Sequence, residues 1–285
     1  MNGRAEEEIC VPDLIVHRSM GGKVLSRLPF DMPAKDVFQY ALSGPDDWAY
    51  VRFWLPWKWI RYRKRARVMH EQTTGQFFNH LADTAKHASA EQKDLLFAYT
   101  AGYLCHFYLD SAVHPYILDR TASDSVRHTA LERELDRLEL KRQGVRSRRP
   151  ITSVPALRSL PAAMRRGLEE AYRLYGWDHV WPELQMALRD ARRFSYLTED
   201  PYGLWNRFFF WWRRMQVFSY QCMDDQHTDP ENESRQYGPE TFQEMVEASV
   251  QRAADRICML HAYVYGEGAW EPMEDISYTT GRASQ

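Results

Sequence analysis

Residues 106–136 read HFYLDSAVHPYILDRTASDSVRHTALERELD, and potential metal ligands recur in this stretch at helical spacing. Side chains four residues apart on an α-helix lie one above the other on the same face. The spacing therefore predicts two stripes of three polar side chains: His106, Asp110 and His114, then His128, Glu132 and Asp136. Two such helices packed face to face would bring imidazoles and carboxylates to one interior point, as in bundle proteins with multinuclear metal centres.

The flanking residues predict one helix for each stripe. Pro115 is expected to end the first helix, which then covers 90–114. Ser123 or Asp124 can cap the second helix, and Gly144 can end it. The connection of about ten residues between the two helices favours packing as neighbours.

These polar side chains lie among apolar neighbours such as Leu104, Phe107 and Leu109. A single histidine on an apolar helix face is more often a core or surface residue than a ligand. Several histidines and carboxylates together would be buried polar groups without partners. A divalent cation binds neutral imidazole and carboxylate together and neutralises the charge, so the combination predicts a metal site.

The stretch resembles the zinc-dependent phospholipase C family. Three upstream blocks fit the same resemblance in the right order: Pro12-Asp13-Leu14 followed by His17, Gly44-Pro45-Asp46, and Met69-His70 followed by Thr73. The resemblance covers about residues 11–140, and Pro239-Glu240-Thr241-Phe242 is similar to the start of the family's last helix.

The resemblance implies an all-α fold: a multi-helix single domain of the phospholipase C and P1 nuclease type, with a metal cluster between helices. It also implies zinc, with two ions expected and room for a third. By the family pattern the ligands form three sets: Asp46, His70, His106 and Asp110; then His114, His128 and Glu132; then His17 with the bridging Asp110.

The third zinc site is where the chain departs from the family. Secreted members use a mature N-terminal Trp as a ligand there, and no Trp precedes Pro12 in this chain. Asp13 lies about one helical turn before His17, so it could replace the missing ligand or cap a helix. The site could equally be binuclear.

This ligand set implies phosphodiester hydrolysis. Zinc lowers the pKa of a bound water from about 15.7 to about 7, and paired zinc ions can hold the attacking oxygen and the phosphate oxygens. Asp46 is the candidate catalytic residue that orients or deprotonates the attacking water, with a role as ligand only as the alternative. Asp136 is expected to accept the free N–H of a ligand imidazole such as His128, unless it is a solvated carboxylate.

Three functions remain open at this stage. The first is a zinc phosphodiesterase that cleaves a phospholipid or related phosphodiester, with Trp48 and Tyr50 lining a head-group pocket. The second is a nuclease-type phosphodiesterase of the same fold. The net charge of −2, the pI of about 6.6 and the missing N-terminal Trp argue against it, so no nucleic-acid partner is expected. The third is a non-catalytic, metal-stabilised module that binds a membrane or a protein, but the spare carboxylate of Asp46 speaks against a closed structural site.

The composition agrees with one large helical domain, since 285 residues with 44% hydrophobic and 27% charged side chains can bury a sizeable core. We expect a flexible N-terminal extension over 1–10, the helical domain over 11–270 and a loose tail over 271–285. Further helices are predicted over 161–175, 181–193 and 241–265, with loops over 141–156 and 224–238.

Neither a secretory signal nor a membrane span is visible in the sequence, so we predict a cytoplasmic protein. The four cysteines lack metal or redox spacing and are expected to be reduced thiols: Cys10, Cys105, Cys222 and Cys258. Nothing in the sequence indicates the oligomeric state.

Two segments bear on peripheral membrane contact. Residues 204–220 combine aromatic side chains with arginines, which suits a lipid interface. The favoured interpretation is a helix buried on most sides whose arginines reach solvent. The basic run over 61–67 precedes His70 and could attract a phosphate head group or an anionic membrane, or be a solvated helix face.

Overall fold

The computed structural model describes residues 14–121, 124–144, 157–200, 202–209, 211–212 and 239–283. Within these ranges the chain forms α-helices, three short 3-10 turns and no strand, which confirms the all-α prediction. The helices are α1 (Leu14–Leu25), α2 (Lys35–Ala41), α3 (Asp47–Tyr50), α4 (Pro56–Glu71), α5 (Thr74–His87), α6 (Ala90–Thr121), α7 (Ser125–Arg142), α8 (Arg165–Tyr172), α9 (Trp181–Glu199), α10 (Leu204–Phe208) and α11 (Pro239–Tyr265).

Helix α6 forms the centre of the fold, and α1, α2, α5, α7 and α11 all pack against it. Nearly every side chain from Leu96 to Leu109 is buried, as expected for a helix that is apolar on all sides. Helix α2 approaches at Gly102, where an added Cβ would lie 2.4 Å from the carbonyl oxygen of Phe38. The ligand-bearing helix is therefore held on several sides by its neighbours.

The first ligand helix is longer than the sequence indicates. Pro115 was expected to end it, but α6 continues through Pro115 to Thr121. Proline removes the bond to the carbonyl four residues earlier, here Ser111. The C-terminal segment approaches this carbonyl closely, since a Cβ on Gly281 would lie 2.4 Å from it. Burial of Ile117 (3% exposed) on the continuing turn favours the intact helix.

The connection between α6 and α7 is correspondingly short. It comprises residues 122–124 rather than the predicted ten or so. Asp124 caps α7 as predicted, because its Oδ1 accepts hydrogen bonds from the backbone N–H groups of Val126 (2.9 Å) and Arg127 (3.0 Å). Gly144 lies just beyond the helix end with a φ of +70°, a conformation that suits glycine.

The other predicted helices differ mainly in length. The segment 161–175 is helical only over α8 with a 3-10 turn on each side, whereas α9 extends six residues beyond the predicted end at 193. The aromatic segment forms only the short helix α10 before residue 209. The N-terminal extension 1–10, most of the loop predicted over 141–156 and all of the loop predicted over 224–238 lie outside the described residues.

The C-terminal segment 271–283 packs against the domain, so the prediction of a loose tail is wrong. Thr74 exchanges hydrogen bonds with the backbone of Ile276, at 2.7 and 2.8 Å. The side chain of Asn79 bonds both the N–H and the carbonyl of Met273. Tyr278 is only 2% exposed and its N–H donates to the carbonyl of His70 (2.8 Å). These long-range bonds give the segment a defined position that composition alone does not reveal.

Within the described ranges, no helix combines the length and apolar character needed to cross a bilayer. Cys105 and Cys258 are free thiols, and burial raises the pKa of both. Cys10 and Cys222 lie outside the described residues.

Candidate metal centre

Eight side chains with metal-binding atoms meet in the interior of the fold. His17 lies on α1, Asp46 ends the 3-10 turn Gly44–Asp46, and His70 lies in the last turn of α4. Helix α6 supplies three of the others and α7 two. All eight are at most 8% exposed: His17, Asp46, His70, His106, Asp110, His114, His128 and Glu132.

The first cluster comprises His17, Asp46, His70, His106 and Asp110. Ligand atoms of His17, Asp46, His106 and Asp110 all lie within 4.8 Å of one another. The Nε2 of His70 lies 3.2 Å from Oδ1 of Asp46 and 3.5 Å from Oδ2 of Asp110. The packing of α1, α4 and α6 thus brings together residues that are separated by up to 93 positions in the sequence.

The second cluster comprises His114, His128 and Glu132, whose ligand atoms also lie within 4.8 Å of one another. The Oε1 of Glu132 lies 2.9 Å from Nε2 of His128 and 3.6 Å from Nε2 of His114. Two neighbouring helices, α6 and α7, are sufficient to build this cluster.

Asp110 connects the two clusters. Its Oδ1 lies 3.2 Å from Nε2 of His17, and its Oδ2 lies 2.9 Å from Nε2 of His106. The same Oδ2 lies 3.8 Å from Nδ1 of His114, a residue of the second cluster. The contact with His17 fits the bridging role that the family resemblance implies for Asp110, and the approach to His114 places the second cluster next to the first.

Backbone carbonyls orient two of the imidazoles. The Nδ1 of His70 lies 2.8 Å from the carbonyl oxygen of Ala66, and the Nδ1 of His106 lies 3.1 Å from that of Leu42. Because a carbonyl only accepts hydrogen bonds, each Nδ1 carries the proton in these contacts. In the neutral form of each ring, Nε2 carries the lone pair and faces the carboxylates, which is the arrangement found around metal-binding histidines.

The buried polar atoms of both clusters lack the hydrogen bonds that such atoms normally make. Asp46 Oδ1, His106 Nε2, Asp110 Oδ2 and Glu132 Oε2 have no hydrogen-bond partner, and neither ring nitrogen of His114 has one. A buried polar atom without a partner costs about 1–3 kcal/mol. Imidazole and carboxylate are zinc ligands, and zinc would satisfy these atoms together, so the donor set fits the metal.

Charge interactions between the ligands shift their pKa values strongly. Burial alone would raise the pKa of Asp110, but the neighbouring His106 and His114 hold it well below its ordinary range. Burial likewise opposes ionisation of Glu132, yet His128 and His114 lower its pKa to about 2. Burial lowers the pKa of His70, but bonds to Asp110 and Asp46 dominate and raise it to about 10. Asp110 and Glu132 are therefore ionised at neutral pH and available to a cation.

His17 lies beside the other ligands of the first cluster. Its ring stacks on that of His106 with centroids 4.3 Å apart and an interplanar angle of 13°. Within the described ranges the ligands form two groups, and the proposed additional ligand Asp13 lies outside those ranges. The arrangement supplies ligand sets for two metal ions.

Gly44 allows the turn that presents Asp46 to pass close to α6. Its φ is +53°, which favours glycine, and an added Cβ would lie 2.4 Å from Cγ and Cδ2 of His106. The Gly-Pro-Asp block is therefore a structural requirement: glycine for the close approach and aspartate for the ligand.

A small cavity of about 30 Å³ opens beside both clusters. Among the described residues, the polar side chains in its walls are all ligands, namely His17, Asp110, His114 and Glu132. The remaining walls are apolar: Val16, Leu109, Val113, Ile117, Leu135 and Phe242. Such walls suit contact with an apolar group next to the metal ligands.

The sequence suggested that Trp48 and Tyr50 line a head-group pocket. Both side chains are instead buried in the core. Trp48 is 1% exposed and stacks on Tyr62, with centroids 6.2 Å apart. Tyr50 is 3% exposed and packs on Phe194 at 4.7 Å. Their proximity to Asp46 in sequence is misleading, since α3 turns them away from the cavity into the contact with α9.

Asp136 has a helix-capping role that the sequence did not indicate. Its carboxylate accepts hydrogen bonds from the backbone N–H groups of Ile15 (3.1 Å) and Val16 (2.9 Å). It thereby caps the first turn of α1, the helix that carries His17. Asp136 thereby supports the helix that carries a ligand of the first cluster. In sequence, however, it belongs to the same helical stripe as the second-cluster ligands His128 and Glu132.

The sequence analysis missed two residues next to the first cluster. The ring of Tyr278 lies edge-on to His70, with centroids 5.2 Å apart, and 5.8 Å from that of His106. Asp47 is fully buried beside the ligand Asp46, and burial raises its pKa to about 7 despite a bond from Tyr40. Adjacency to Asp46 could have indicated Asp47, whereas no local pattern points to Tyr278.

The basic run over 61–67 separates into paired and exposed cations. Arg65 forms an ion pair with Glu183 and lies over the rings of Trp48 and Trp177. Arg67 pairs with Glu71, whereas Arg61 and Lys64 are exposed. The run as a whole therefore does not face the metal ligands.

Comparison with protein families gives one match: the model described as zinc dependent phospholipase C matches residues 16–176, more than half of the chain. The matched range contains all eight ligand side chains. Comparisons with curated proteins and with solved structures gave no match.

Proposed function

Because the chain belongs to the zinc-dependent phospholipase C family, we propose that it is a zinc-dependent hydrolase that cleaves the phosphodiester bond of a phospholipid. One observation carries this proposal: two buried ligand clusters share Asp110 and open into the same apolar-walled cavity. The clusters supply the chemistry of phosphodiester hydrolysis, and the apolar walls beside them suit contact with the apolar part of a lipid.

Zinc, when bound, acts as a Lewis acid toward water and phosphate oxygens. His17, Asp46, His70, His106 and Asp110 would hold one ion, and His114, His128 and Glu132 the other. The three carboxylates do not fully neutralise two divalent cations, so the loaded site attracts an anionic phosphodiester.

Asp46 is our candidate for the catalytic carboxylate. Its Oδ1 lacks a hydrogen bond, whereas its Oδ2 lies 3.6 Å from Nε2 of His106. One oxygen can therefore serve as a ligand while the other orients the attacking water and accepts its proton.

The cavity walls favour a lipid over a nucleic acid. Single-stranded nucleic acids bind through aromatic stacking platforms and basic grooves. The part of the wall formed by described residues is mainly aliphatic, and Phe242 is the aromatic side chain among them that is not a ligand. We therefore place the glycerol or acyl part of the substrate against Val113 and Leu135, with the phosphate toward the ligands.

The proposal is tested by metal content and hydrolysis measured on the same preparations. Substrates are phosphatidylcholine, a chromogenic phosphocholine ester and single-stranded DNA. Asp46→Asn and His106→Ala are compared with the exposed controls Asp31→Asn and His87→Ala. We expect two zinc ions per native chain, hydrolysis of the choline esters, and a loss of at least about 100-fold in both site variants.

Three outcomes would contradict the proposal. Fewer than two zinc ions per chain would contradict the binuclear site. Hydrolysis of DNA alone would favour the nuclease alternative, and zinc binding without any hydrolysis would favour the non-catalytic module.

A further inference from the structure

The large hydrophobic side chains that remain exposed are concentrated in three segments of the chain. Of the twelve such side chains in the described ranges, ten lie in residues 54–60, 196–197 and 202–212. Trp57 is 70% exposed, Phe208 73% and Trp211 88%. Scattered exposed hydrophobic residues need no explanation, but a concentration of this kind marks an interaction site. We call these three segments the aromatic face.

Contacts between rings join the three segments into one surface. Phe53 packs on Phe194 with centroids 5.1 Å apart, and the guanidinium of Arg193 lies 5.6 Å from the ring of Trp54. Phe194 in turn contacts Trp205 at 6.4 Å. An inner row of half-buried and buried rings therefore supports the exposed side chains of the aromatic face.

Buried carboxylates hold the segments in place. Asp200 accepts hydrogen bonds from the backbone N–H groups of Trp205 and Asn206, both 2.9 Å long, and so caps α10. Asp190 accepts one from the N–H of Arg52 (3.1 Å), which joins the α3–α4 connection to α9. Hydrogen bonds therefore hold the segments that carry the exposed side chains of the aromatic face.

The charge of the surrounding surface is positive. No Asp or Glu occurs between Trp48 and His70. Lys58, Arg61 and Lys64 are exposed on α4 and have no ion-pair partner among the described residues. They flank Trp57 and Ile60 on the same helix, so cations and apolar side chains alternate along one exposed stretch.

We propose that the aromatic face docks on a lipid bilayer that contains anionic lipids. Trp side chains with aliphatic neighbours enter the interfacial region of a bilayer, and nearby lysines and arginines bind its anionic head groups. The overall charge of the chain is −2, so the local positive charge is a property of this face rather than of the whole protein.

Two other occupants fit the surface less well. Single-stranded nucleic acid would stack on the aromatic rings but would leave Ile60, Leu197 and Leu204 without a favourable partner. A second copy of the chain would place identical cations opposite one another, because a two-fold interface uses the same patch on both subunits. The bilayer satisfies both the apolar and the charged components.

The proposal does not depend on the hydrolytic function. Trp57 and His70 are thirteen residues apart on α4, which corresponds to about 20 Å along the helix. Substitutions on the aromatic face should therefore leave the zinc content unchanged. Membrane binding and phosphodiester hydrolysis can fail separately, and each failure can be recognised.

The test is co-sedimentation of the full chain with vesicles of phosphatidylcholine alone and of phosphatidylcholine mixed with phosphatidylglycerol. We expect stronger binding to the anionic vesicles. The double variant Trp57→Ser, Ile60→Ser should bind both vesicle types at least about tenfold more weakly. Lys58→Gln, Arg61→Gln and Lys64→Gln should each reduce binding to the anionic vesicles by up to about fivefold.

Matched controls lie on other surfaces: Leu174→Ser for the apolar variant and Lys35→Gln for the charge variants. Circular dichroism and zinc content verify that each variant is folded. The proposal is overturned if the native chain binds neither vesicle type, or if the Trp57/Ile60 variant binds as the Leu174 control does. It is also overturned if the same variant loses binding to single-stranded DNA, or self-association in sedimentation, while vesicle binding is unchanged.

Discussion

The two ligand clusters are built from parts of the chain that differ greatly in sequence separation. The second cluster needs only residues 114–132, where α6 and α7 follow one another directly. The first cluster needs residues from 17 to 110, contributed by α1, the turn before α3, α4 and α6. Local geometry is thus sufficient for the second cluster, whereas the first depends on long-range packing. The first cluster should accordingly be sensitive to changes outside its ligands.

The largest effect is expected for Asp110→Asn, because Asp110 contacts ligands of both clusters. Loss of its charge removes the shared carboxylate, so zinc affinity should fall at both clusters. Even residues that only support ligands contribute about 10–100-fold to metal affinity, so a bridging ligand should contribute more. Zinc is measured by mass spectrometry after dialysis against a weak chelator. Asp119→Asn, on the exposed side of α6, is the control, and unchanged affinity in the Asp110 variant would refute the bridging role.

Glu132→Gln should separate the two clusters. Glu132 contacts His128 and His114 only within the second cluster, so one zinc ion should be lost and the other retained. We expect about a 100-fold loss of affinity for the weaker-binding ion and little change for the other. Glu134→Gln, two residues further along α7 in a partly exposed ion pair with Arg137, provides the comparison. Parallel loss of both ions would show that the clusters form a single cooperative unit.

Gly44→Ala tests the dependence of the first cluster on a residue that is not a ligand. The left-handed φ and the contact with His106 should make alanine costly by about 2 kcal/mol of unfolding free energy. Displacement of His106 should also weaken zinc binding at the first cluster. Urea unfolding and zinc content are measured beside Gly22→Ala, where an added Cβ contacts nothing within 4 Å. Equal behaviour of the two alanine variants would show that the turn tolerates a side chain.

The smallest effect concerns pH. The raised pKa of His70, about 10 without metal, means that this imidazole carries a proton at neutral pH. At pH values below the ordinary pKa of histidine, the raised pKa of His70 stabilises the metal-free fold. This stabilisation is lost as the pH rises through about 10. Zinc needs the unprotonated nitrogen, so its affinity should rise by up to about tenfold per pH unit above neutrality. Chelator competition across this range should show a shallower slope in His70→Gln, and an equal slope would exclude His70 as the proton donor.

Predictions from the sequence were most successful where metal-binding side chains recur at helical spacing. The stripe from His106 to His114, the cap at Asp124 and the three upstream blocks all led to side chains that the fold brings together. Predictions failed where the outcome depends on what a residue packs against. Asp136 lies on the ligand stripe but caps α1, and Trp48 follows Asp46 but faces the core. In both cases the spacing shows which face of the helix a side chain occupies, but not which residues pack against that face.

The aromatic segment shows the same limit. Its composition suits a buried helix and a lipid interface equally, and the sequence analysis favoured burial. In the described part, Phe208, Trp211 and Trp212 are exposed instead, so that interpretation is wrong for these residues. Hydrophobicity indicates that a side chain avoids water, but does not specify whether the protein itself or another surface covers it.

The sequence by itself determined the helical class, the ligand inventory and the second cluster, because i, i+4 spacing on consecutive helices is a local property. Only the tertiary structure decided that His17 joins the first cluster, that Tyr278 covers it and that α6 continues past Pro115. These features depend on contacts between residues that are distant in the chain. The free energy of such contacts comes from burial and packing, which no local spacing rule contains.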